Sequence, residues 1–299
     1  MGLEVFQLLD TQKLYHIKNN PEQIVRSLIK SGSDIKHKNK FNNSPLDEAI
    51  FSCNTEVIKC LLDNGANVEE TTDFGDTPLI KICGYKFDKY RESIITLLDR
   101  IWDVGGFGDE KSEIRLRIKG ALLNNLKNKP QNEQIDSFNS EMLKIANSLI
   151  QYGANVKVKN NVGASAIIAG SGGGNAKIVN LLIKSGAGVN DKYDTDMSAL
   201  FIAAQIGNID VIKVLLQNGG DIESPLNDGE TALMTAVWFG HVDVVKLLVL
   251  KGANINAKKI TPYNKDGEKA LAWAAYKFKN ERDTRYGEIF NILHNAGAR

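Results

Sequence analysis

The chain has 299 residues, of which 42% are hydrophobic and 24% charged, and its formal net charge is +1. This composition is typical of a folded protein, and the balanced charge excludes an overall electrostatic attraction to nucleic acid or to an anionic membrane surface. No apolar run approaches the ~20 residues that a membrane-spanning helix requires.

The three cysteines, Cys53, Cys60 and Cys83, lack the spacing of a metal site. Their small, odd number predicts buried apolar thiols in a reducing compartment rather than a disulfide framework. The first residues carry charges too early for a secretory signal peptide. We therefore predict a cytoplasmic protein, and leave open its delivery into a host cell by a route that hydropathy does not detect.

A glycine followed by a small residue recurs along the chain. The glycines are Gly32, Gly65, Gly153, Gly186, Gly219, Gly252 and Gly297. Every step from Gly153 to Gly252 is 33 residues, as is the step from Gly32 to Gly65. These glycines predict helix ends, because glycine adopts the left-handed conformation of a C-terminal cap at little cost.

A second marker, Ser or Thr followed by Pro or Ala, keeps the same register. It occurs at Ser44, Thr77, Ser165, Ser198 and Thr231, and Lys269 takes its place in the last unit. The hydroxyl can cap a free backbone N–H, and Pro is preset for the first helical turn. Apolar residues at helical spacing, such as Val244, Val245 and Leu248, precede each glycine. Each unit is therefore predicted to contain a short helix, a turn, a longer helix and an extended segment.

In chain order, the markers divide a single domain over residues 1–299 into seven units. These are an N-terminal cap unit (1–38), a repeat (39–71), two degenerate repeats with an insertion at about 102–140 (72–159), three repeats (160–192, 193–225 and 226–263) and a C-terminal cap repeat (264–299). Terminal and inserted units are commonly atypical in repeat stacks.

The irregular segment lies between Thr77 and Ser165, where 88 residues replace the 66 that two repeats need. We predict that its degenerate repeat has a first helix near residues 120–123 and a second at 142–151. Loops are predicted at 103–111 and 128–139. Because it breaks the period, the insertion is expected to be less protected than its flanks.

The most regular unit runs from Asn227 to Ala257, NDGETALMTAVWFGHVDVVKLLVLKGANINA. It resembles the ankyrin consensus, with its T-P-L-H helix start, its G-H turn and its V-x-x-L-L-x-x-G-A helix end. The resemblance covers residues 22–299, and it implies an all-α ankyrin-repeat solenoid whose helix pairs carry hairpin or loop fingers. It also implies protein binding on a concave groove made of fingers and first helices.

In this family, the two residues before the turn between the helices point towards the groove. Several of these positions carry large side chains here: Phe51, Gln205, Ile206, Trp238, Phe239 and Tyr276. Because Trp and Tyr dominate interface hot spots, we predict an aromatic floor for a protein partner in the C-terminal half of the groove. The alternative is that some of these side chains fold back onto a neighbouring repeat.

Three consecutive fingers carry pairs of acidic residues. The pairs are Asp194 with Asp196, Asp228 with Glu230, and Asp266 with Glu268. Aligned in a row, they would select a partner with a basic segment, because complementary charges steer association. The alternative is that Asp is frequent in these hairpins because it favours turns.

Three other interpretations stay open. A basic run at 36–40, with Lys157, Lys159, Lys258 and Lys259, could bind nucleic acid or an acidic partner through the fingers, although the net charge disfavours nucleic acid. An enzyme could have its active site in residues 102–140, but that segment has carboxylates without His or Cys. The stack could also be one piece of an oligomer, although we expect a monomer.

The sequence predicts neither a cofactor nor a metal nor a catalytic residue. The four histidines fall in different units, and His241 at the turn predicts a structural hydrogen bond. The run at 171–174, SGGG, lacks the Lys of a phosphate-binding loop and predicts a frayed or kinked helix end. The leading hypothesis is a non-catalytic scaffold, inhibitor or effector that binds another protein on its groove.

Overall fold

The computed structural model describes residues 21–39, 42–84, 131–261 and 264–299. The chain divides into two compact units. The first comprises residues 1–72 and 85–153, and the second comprises residues 73–84 and 154–299. In both units the described chain consists mainly of helices.

The first unit contains α1 (Pro21–Lys30), α2 (Pro45–Phe51), α3 (Thr55–Asp63) and α5 (Gln131–Gln151) among its described residues. Ser44 caps α2 in a reciprocal arrangement with Asp47, so that two free backbone N–H groups are satisfied. Helix α3 packs against each of the other three helices. Its Val57, Ile58 and Leu61 are fully buried and form the centre of this core.

Helix α5 is longer than the sequence predicts. It begins at Gln131, so the loop predicted over 128–139 is wrong from residue 131 onwards. Pro130 directly precedes the helix, and Phe138 extends the buried face of Met142, Ile145 and Leu149 towards the N-terminus. The predicted loop at 103–111 and the predicted helix near 120–123 lie outside the described residues.

The second unit begins with one helix in residues 73–84 and continues with helix pairs in residues 154–299. Its helices are α4 (Pro78–Gly84), α6 (Ala166–Gly173), α7 (Ala176–Lys184), α8 (Ala199–Ile206), α9 (Ile209–Gln217), α10 (Ala232–Trp238), α11 (Val242–Leu250), α12 (Ala270–Glu281) and α13 (Thr284–Asn295). The first helices pack in the order α4, α6, α8, α10, α12, and the second helices in the order α7, α9, α11, α13. The unit is therefore a stack in which each helix pair contacts its neighbours.

Fingers connect the pairs, and neighbouring fingers are joined by backbone hydrogen bonds. The N–H of Asn161 donates to Phe74 O at 3.1 Å, and the N–H of Ile260 donates to Asp228 O at 2.7 Å. The last finger is an antiparallel hairpin of β1 (Lys259–Thr261) and β2 (Asn264–Glu268). The repeat that begins at Thr77 therefore contacts the repeat that begins at Ser165 directly, both through its first helix and through its finger.

The helix starts and stops follow the predicted markers. Thr231 Oγ1 accepts the N–H of Met234 at 3.3 Å, and Ser198 Oγ accepts the N–H of Phe201 at 3.2 Å. The seven marker glycines all have positive φ angles, between 85° and 94°. The predicted fraying at 171–174 is wrong, because α6 continues to Gly173 and ends at Gly174, whose φ is 82°.

Candidate functional site

Four large side chains are exposed on the C-terminal halves of three neighbouring first helices. Ile206 ends α8, Trp238 and Phe239 end α10, and Tyr276 lies on α12. Their exposed fractions are 38%, 39%, 44% and 61%, respectively. We call these four residues the aromatic surface. Their helices pack side by side, which places them on one side of the second unit.

Trp238 is held by its neighbours from the last repeat. The edge of its ring meets Trp273, with centroids 5.3 Å apart and planes at 69°. The ammonium of Lys277 lies 4.3 Å from the Trp238 centroid, and Glu281 binds the same ammonium at 2.5 Å. This hydrogen bond raises the pKa of Lys277, which keeps the cation over the ring. Trp238 is thus a partly exposed ring in a fixed orientation.

The turns carry a ladder of hydrogen bonds from each repeat to the one before it. His241 Nε2 lies 2.9 Å from Gln205 O, as predicted for a structural histidine. Asn208 Nδ2 donates to Gly174 O at 2.8 Å, and the Tyr286 hydroxyl donates to Trp238 O at 2.9 Å. The ladder fixes the turn ends of α8 and α10, where Ile206, Trp238 and Phe239 lie.

The other two predicted groove residues, Gln205 and Phe51, do not belong to the aromatic surface. Gln205 is half-buried, and its carbonyl is engaged in the ladder. Phe51 is the last residue of α2 in the first unit, and its side chain falls outside the described part of the structure. Phe239 stacks on the His241 ring, with centroids 6.2 Å apart, while remaining exposed.

Of the six acidic residues, three make side-chain contacts within the repeats and a fourth occupies a turn position. Lys259 forms ion pairs with Asp228 at 3.2 Å and with Glu230. Partial burial lowers the pKa of Lys259, but hydrogen bonds and charges from these carboxylates raise it by more. Glu268 Oε2 accepts a hydrogen bond from the Nε1–H of Trp273 at 2.5 Å. Asp196 has a φ of 62°, the left-handed turn conformation that glycine has in neighbouring fingers.

Asp194 and Asp266 differ from those four. Both are exposed, and neither has an ion pair within the described ranges. They lie in different fingers of the second unit. These two carboxylates are therefore the ones that a basic partner could reach without displacing an internal contact.

Several of the basic residues make contacts within the described structure. Lys38 pairs with Glu70 at 3.0 Å, and Lys259 pairs with acids of the preceding finger. Lys159 Nζ donates to the carbonyl of Lys192 at 3.2 Å. Lys157 and Lys258 are exposed. Lys40 falls outside the described residues, as do the acidic residues of the insertion at 103–113.

Sequence reasoning missed the residues that hold Trp238. Trp273, Lys277 and Tyr286 lie in the last repeat, whose atypical cap and helix lengths obscured their register. One signal was available: Tyr286 takes the place of His241 when the final glycines of both repeats are aligned. That alignment identifies a hydroxyl that can donate across the turn as imidazole does.

The described residues contain neither a metal site nor a membrane-spanning helix. No cluster of three or more His, Cys, Asp or Glu could hold a metal ion there. Within the same ranges, no helix has the length and apolar character needed to cross a membrane. The three cysteines are free, and burial raises the pKa of the Cys60 and Cys83 thiols. These two thiols are inert packing groups at neutral pH.

The helix pairs, turn ladder and fingers agree with a family model described as ankyrin repeats (3 copies). It matches residues 14–104, 136–225, 167–259 and 228–298. The chain belongs to the ankyrin-repeat family. Proteins of this family generally mediate protein–protein interactions and are typically not enzymes.

Two individual proteins are similar to this ankyrin-repeat chain. A putative ankyrin repeat protein of fowlpox virus (strain NVSL) is 39% identical over 62 residues, which are 21% of this chain and 24% of that relative. The human ASB11 ankyrin repeat domain has a similar structure, with a TM-score of 0.57 and 22% identity. That match covers 86% of this chain and 85% of the human domain, and supports the fold alone.

Proposed function

We propose that the chain is a non-catalytic scaffold, inhibitor or effector that binds another protein through the aromatic surface, on the groove side of its ankyrin repeats. The observation that carries this proposal is the exposure of Trp238, Phe239 and Tyr276 on the neighbouring helices α10 and α12. Exposed aromatic side chains leave apolar surface in contact with water, which is unfavourable for the free protein. They are also the residues most often found at binding hot spots.

The environment of Trp238 supports this role. Its ring is already ordered by Trp273 and Lys277, so a partner need not freeze it on binding. Binding to an ordered side chain avoids about 0.5–1.5 kcal/mol of entropy loss. Ile206 on the preceding helix extends the apolar area beyond the rings. The combination favours a partner that inserts apolar side chains against this surface.

The acidic fingers extend the proposal to the partner's charge. Asp194 and Asp266 are exposed and could steer a basic segment of the partner towards the fingers. Asp228, Glu230, Glu268 and Asp196 contribute less in this proposal, because each already has a role within the repeats. Nucleic acid is the less favoured partner in this proposal, since the net charge is balanced and Lys38, Lys159 and Lys259 already have contacts within the protein.

We place this activity in the cytoplasm, where free cysteines persist. Delivery into a host cell by a non-classical route is a further part of the proposal that only localisation experiments can test. Neither a cofactor nor catalysis is needed for this function. The proposed partner is a protein, and the proposal requires no membrane contact.

The experiment compares proteins captured from the source cells by the wild-type chain and by two variants. Trp238→Ala combined with Tyr276→Ala removes the aromatic surface. Leu250→Ala is the matched control, because Leu250 is 81% exposed and lies at the end of α11 remote from the turn. The expected partner is captured by the wild type and by the control but not by the double variant.

Titration of the captured protein with the wild type and each variant then gives the free energy of binding. Trp238→Ala alone is expected to weaken binding by about 2 kcal/mol or more, the size of a hot spot. Reversing Asp194 and Asp266 to Lys is expected to slow association at low salt if the partner has a basic segment. Equal binding by the wild type and the double variant would refute the aromatic surface as the binding site.

A further inference from the structure

The β1–β2 hairpin places two charged side chains against Trp273. Lys259 of β1 and Glu268 of β2 are opposite each other in the antiparallel ladder, so their side chains extend from the same face of the hairpin. The carboxylate of Glu268 accepts the hydrogen bond of the Trp273 indole at 2.5 Å. The ammonium of Lys259 lies over the same ring, 5.5 Å from its centroid. The hairpin therefore holds Trp273 both at its N–H and over its ring.

Lys259 is itself fixed by the preceding finger. Its ammonium pairs with Asp228 at 3.2 Å and with Glu230. The Lys259 side chain is 22% exposed, and Trp273 is buried. Attraction of a cation to carboxylates and to an aromatic ring is stronger where water is partly excluded. A displacement of Lys259 would therefore cost its ion pairs and its ring contact together.

Trp273 connects this hairpin with the aromatic surface. It lies on α12, and its ring is 5.3 Å from the ring of Trp238 at the end of α10, with the planes at 69°. This is the edge-to-face geometry that aromatic pairs favour. A continuous series of contacts thus runs from the acidic pair of one finger through Lys259 and Trp273 to the partly exposed ring of Trp238.

The long finger and the large ring occur in the same repeat. The step from Thr231 to Lys269 is 38 residues, whereas the regular step is 33, so this finger has five additional residues. Four residues after its cap, the last repeat has Trp273. The aligned positions of the three preceding repeats have smaller side chains: Ala169, Ile202 and Thr235. The hairpin and Trp273 are therefore matched departures from the repeat pattern, and they meet beside Trp238.

We propose that Lys259, Glu268 and Trp273 are positioning residues for the aromatic surface. The hairpin sets the orientation of Trp238 through Trp273, so a partner that binds Trp238 depends on a finger that it need not touch. The fingers and the aromatic surface are then one coupled site, in which a change at either part alters the other. The effect on binding rests on the proposed function, whereas the positioning of Trp238 does not.

Fluorine NMR of the full chain labelled with fluorotryptophan tests the positioning without a partner. The signal of Trp238 is assigned by its loss in Trp238→Phe. Lys259→Met keeps the length of the side chain and removes its charge, and Glu268→Gln neutralises the group that binds the Trp273 indole. Each is expected to shift the Trp238 signal by more than its linewidth. A Trp238 signal that either substitution leaves unchanged would overturn the proposal.

Three further variants show whether the effect passes through Trp273. Lys259→Arg keeps the cation and is expected to restore the wild-type signal. Lys258→Met removes an exposed charge from the same finger and is expected to have no effect. In Trp273→Phe the bond to Glu268 is already absent, so adding Glu268→Gln is expected to cause no further shift of the Trp238 signal. A persistent shift there, or an equal shift in Lys258→Met, would overturn the proposal.

The protein captured by the wild-type chain then tests the effect on binding. Lys259→Met is expected to weaken its binding about two- to tenfold, because the partner must order the Trp238 ring itself. Lys258→Met is expected to bind as the wild type does. Unchanged binding in Lys259→Met would overturn the positioning role if Trp238→Ala weakens binding. Unchanged binding in Trp238→Ala would instead refute the proposed function and leave the NMR result standing.

Discussion

The repeat at 226–263 and the repeat at 264–299 share one plan but differ in what surrounds them. The first contains α10 and α11 and has a helix pair packed on either side. The second contains α12 and α13 and is covered on one side within the described chain. Positions that are fully buried in the first are half-buried or exposed in the second. In a repeat stack, burial is therefore a property of neighbours as much as of residue type.

The two repeats also supply different residues to the candidate site. The internal repeat supplies Trp238 and Phe239, whereas the last repeat supplies the residues that orient Trp238. The last repeat has longer helices, a Lys at its cap and a Tyr at its turn. Its departures from the consensus provide the contacts that hold the exposed ring.

The largest expected effect contrasts the two tryptophans. Trp273 is 8% exposed and donates to Glu268, so Trp273→Ala is expected to cost about 3–5 kcal/mol of unfolding free energy. Trp238→Ala is expected to cost about 1–2 kcal/mol, because part of its ring remains in water. Urea unfolding of both variants measures the difference. Equal losses would make Trp238 a packing residue and remove it from the proposed binding site.

The next largest expected effect is a difference in unfolding free energy between truncations at one aligned position of the two repeats. Leu233 is 1% exposed between helix pairs, and Leu233→Ala is expected to cost about 2–5 kcal/mol. Leu271 is half-buried at the aligned position, and Leu271→Ala is expected to cost about 1 kcal/mol. Urea unfolding of both variants measures the difference. A loss at Leu271 as large as that at Leu233 would show that the two positions are packed alike.

A third prediction concerns the ladder at the turns. Tyr286→Phe removes the hydroxyl that donates to Trp238 O and is expected to cost about 1 kcal/mol, since the carbonyl loses its partner. Tyr276→Phe is the matched control, because Tyr276 is 61% exposed, and is expected to change stability by less than about 0.5 kcal/mol. Thermal melts of both variants provide the measurement. Equal shifts would mean that the ladder adds nothing in the last repeat.

The smallest effect involves the cation over Trp238. Lys277→Met removes the ring contact and the pair with Glu281, and is expected to cost about 0.5–1 kcal/mol. The pKa of Lys277 is raised by Glu281, so its contribution is present at neutral pH and is lost as pH rises through the folded-state pKa.

Tryptophan fluorescence followed from neutral to alkaline pH can detect that loss. Burial raises the pKa of Tyr286, whose deprotonation would break its bond to Trp238 O in the same alkaline range. The part of the transition that Lys277→Met abolishes belongs to the cation. Lys279→Met, at an exposed neighbouring position, is expected to titrate as the wild type does. An unaltered transition in Lys277→Met would assign all of it to other groups.

The repeats could be predicted from the amino-acid sequence, because their signals are local. A hydroxyl caps a helix start within three residues, and glycine ends a helix through its own backbone angle. Thr231, Ser198 and Gly252 therefore have the structure that their positions predict. The turn hydrogen bond of His241 was predictable because the family consensus fixes its partner one repeat away.

Which side chains make contacts between repeats could be seen only in the folded structure. Whether Asp228 is available to a partner depends on Lys259, 31 residues away, and the orientation of Trp238 depends on Trp273 and Lys277. The start of α5 at Gln131 is associated with the burial of Phe138, which lies within this helix. Contacts between residues far apart in sequence exist only after the repeats stack, so the pattern within one repeat cannot specify them.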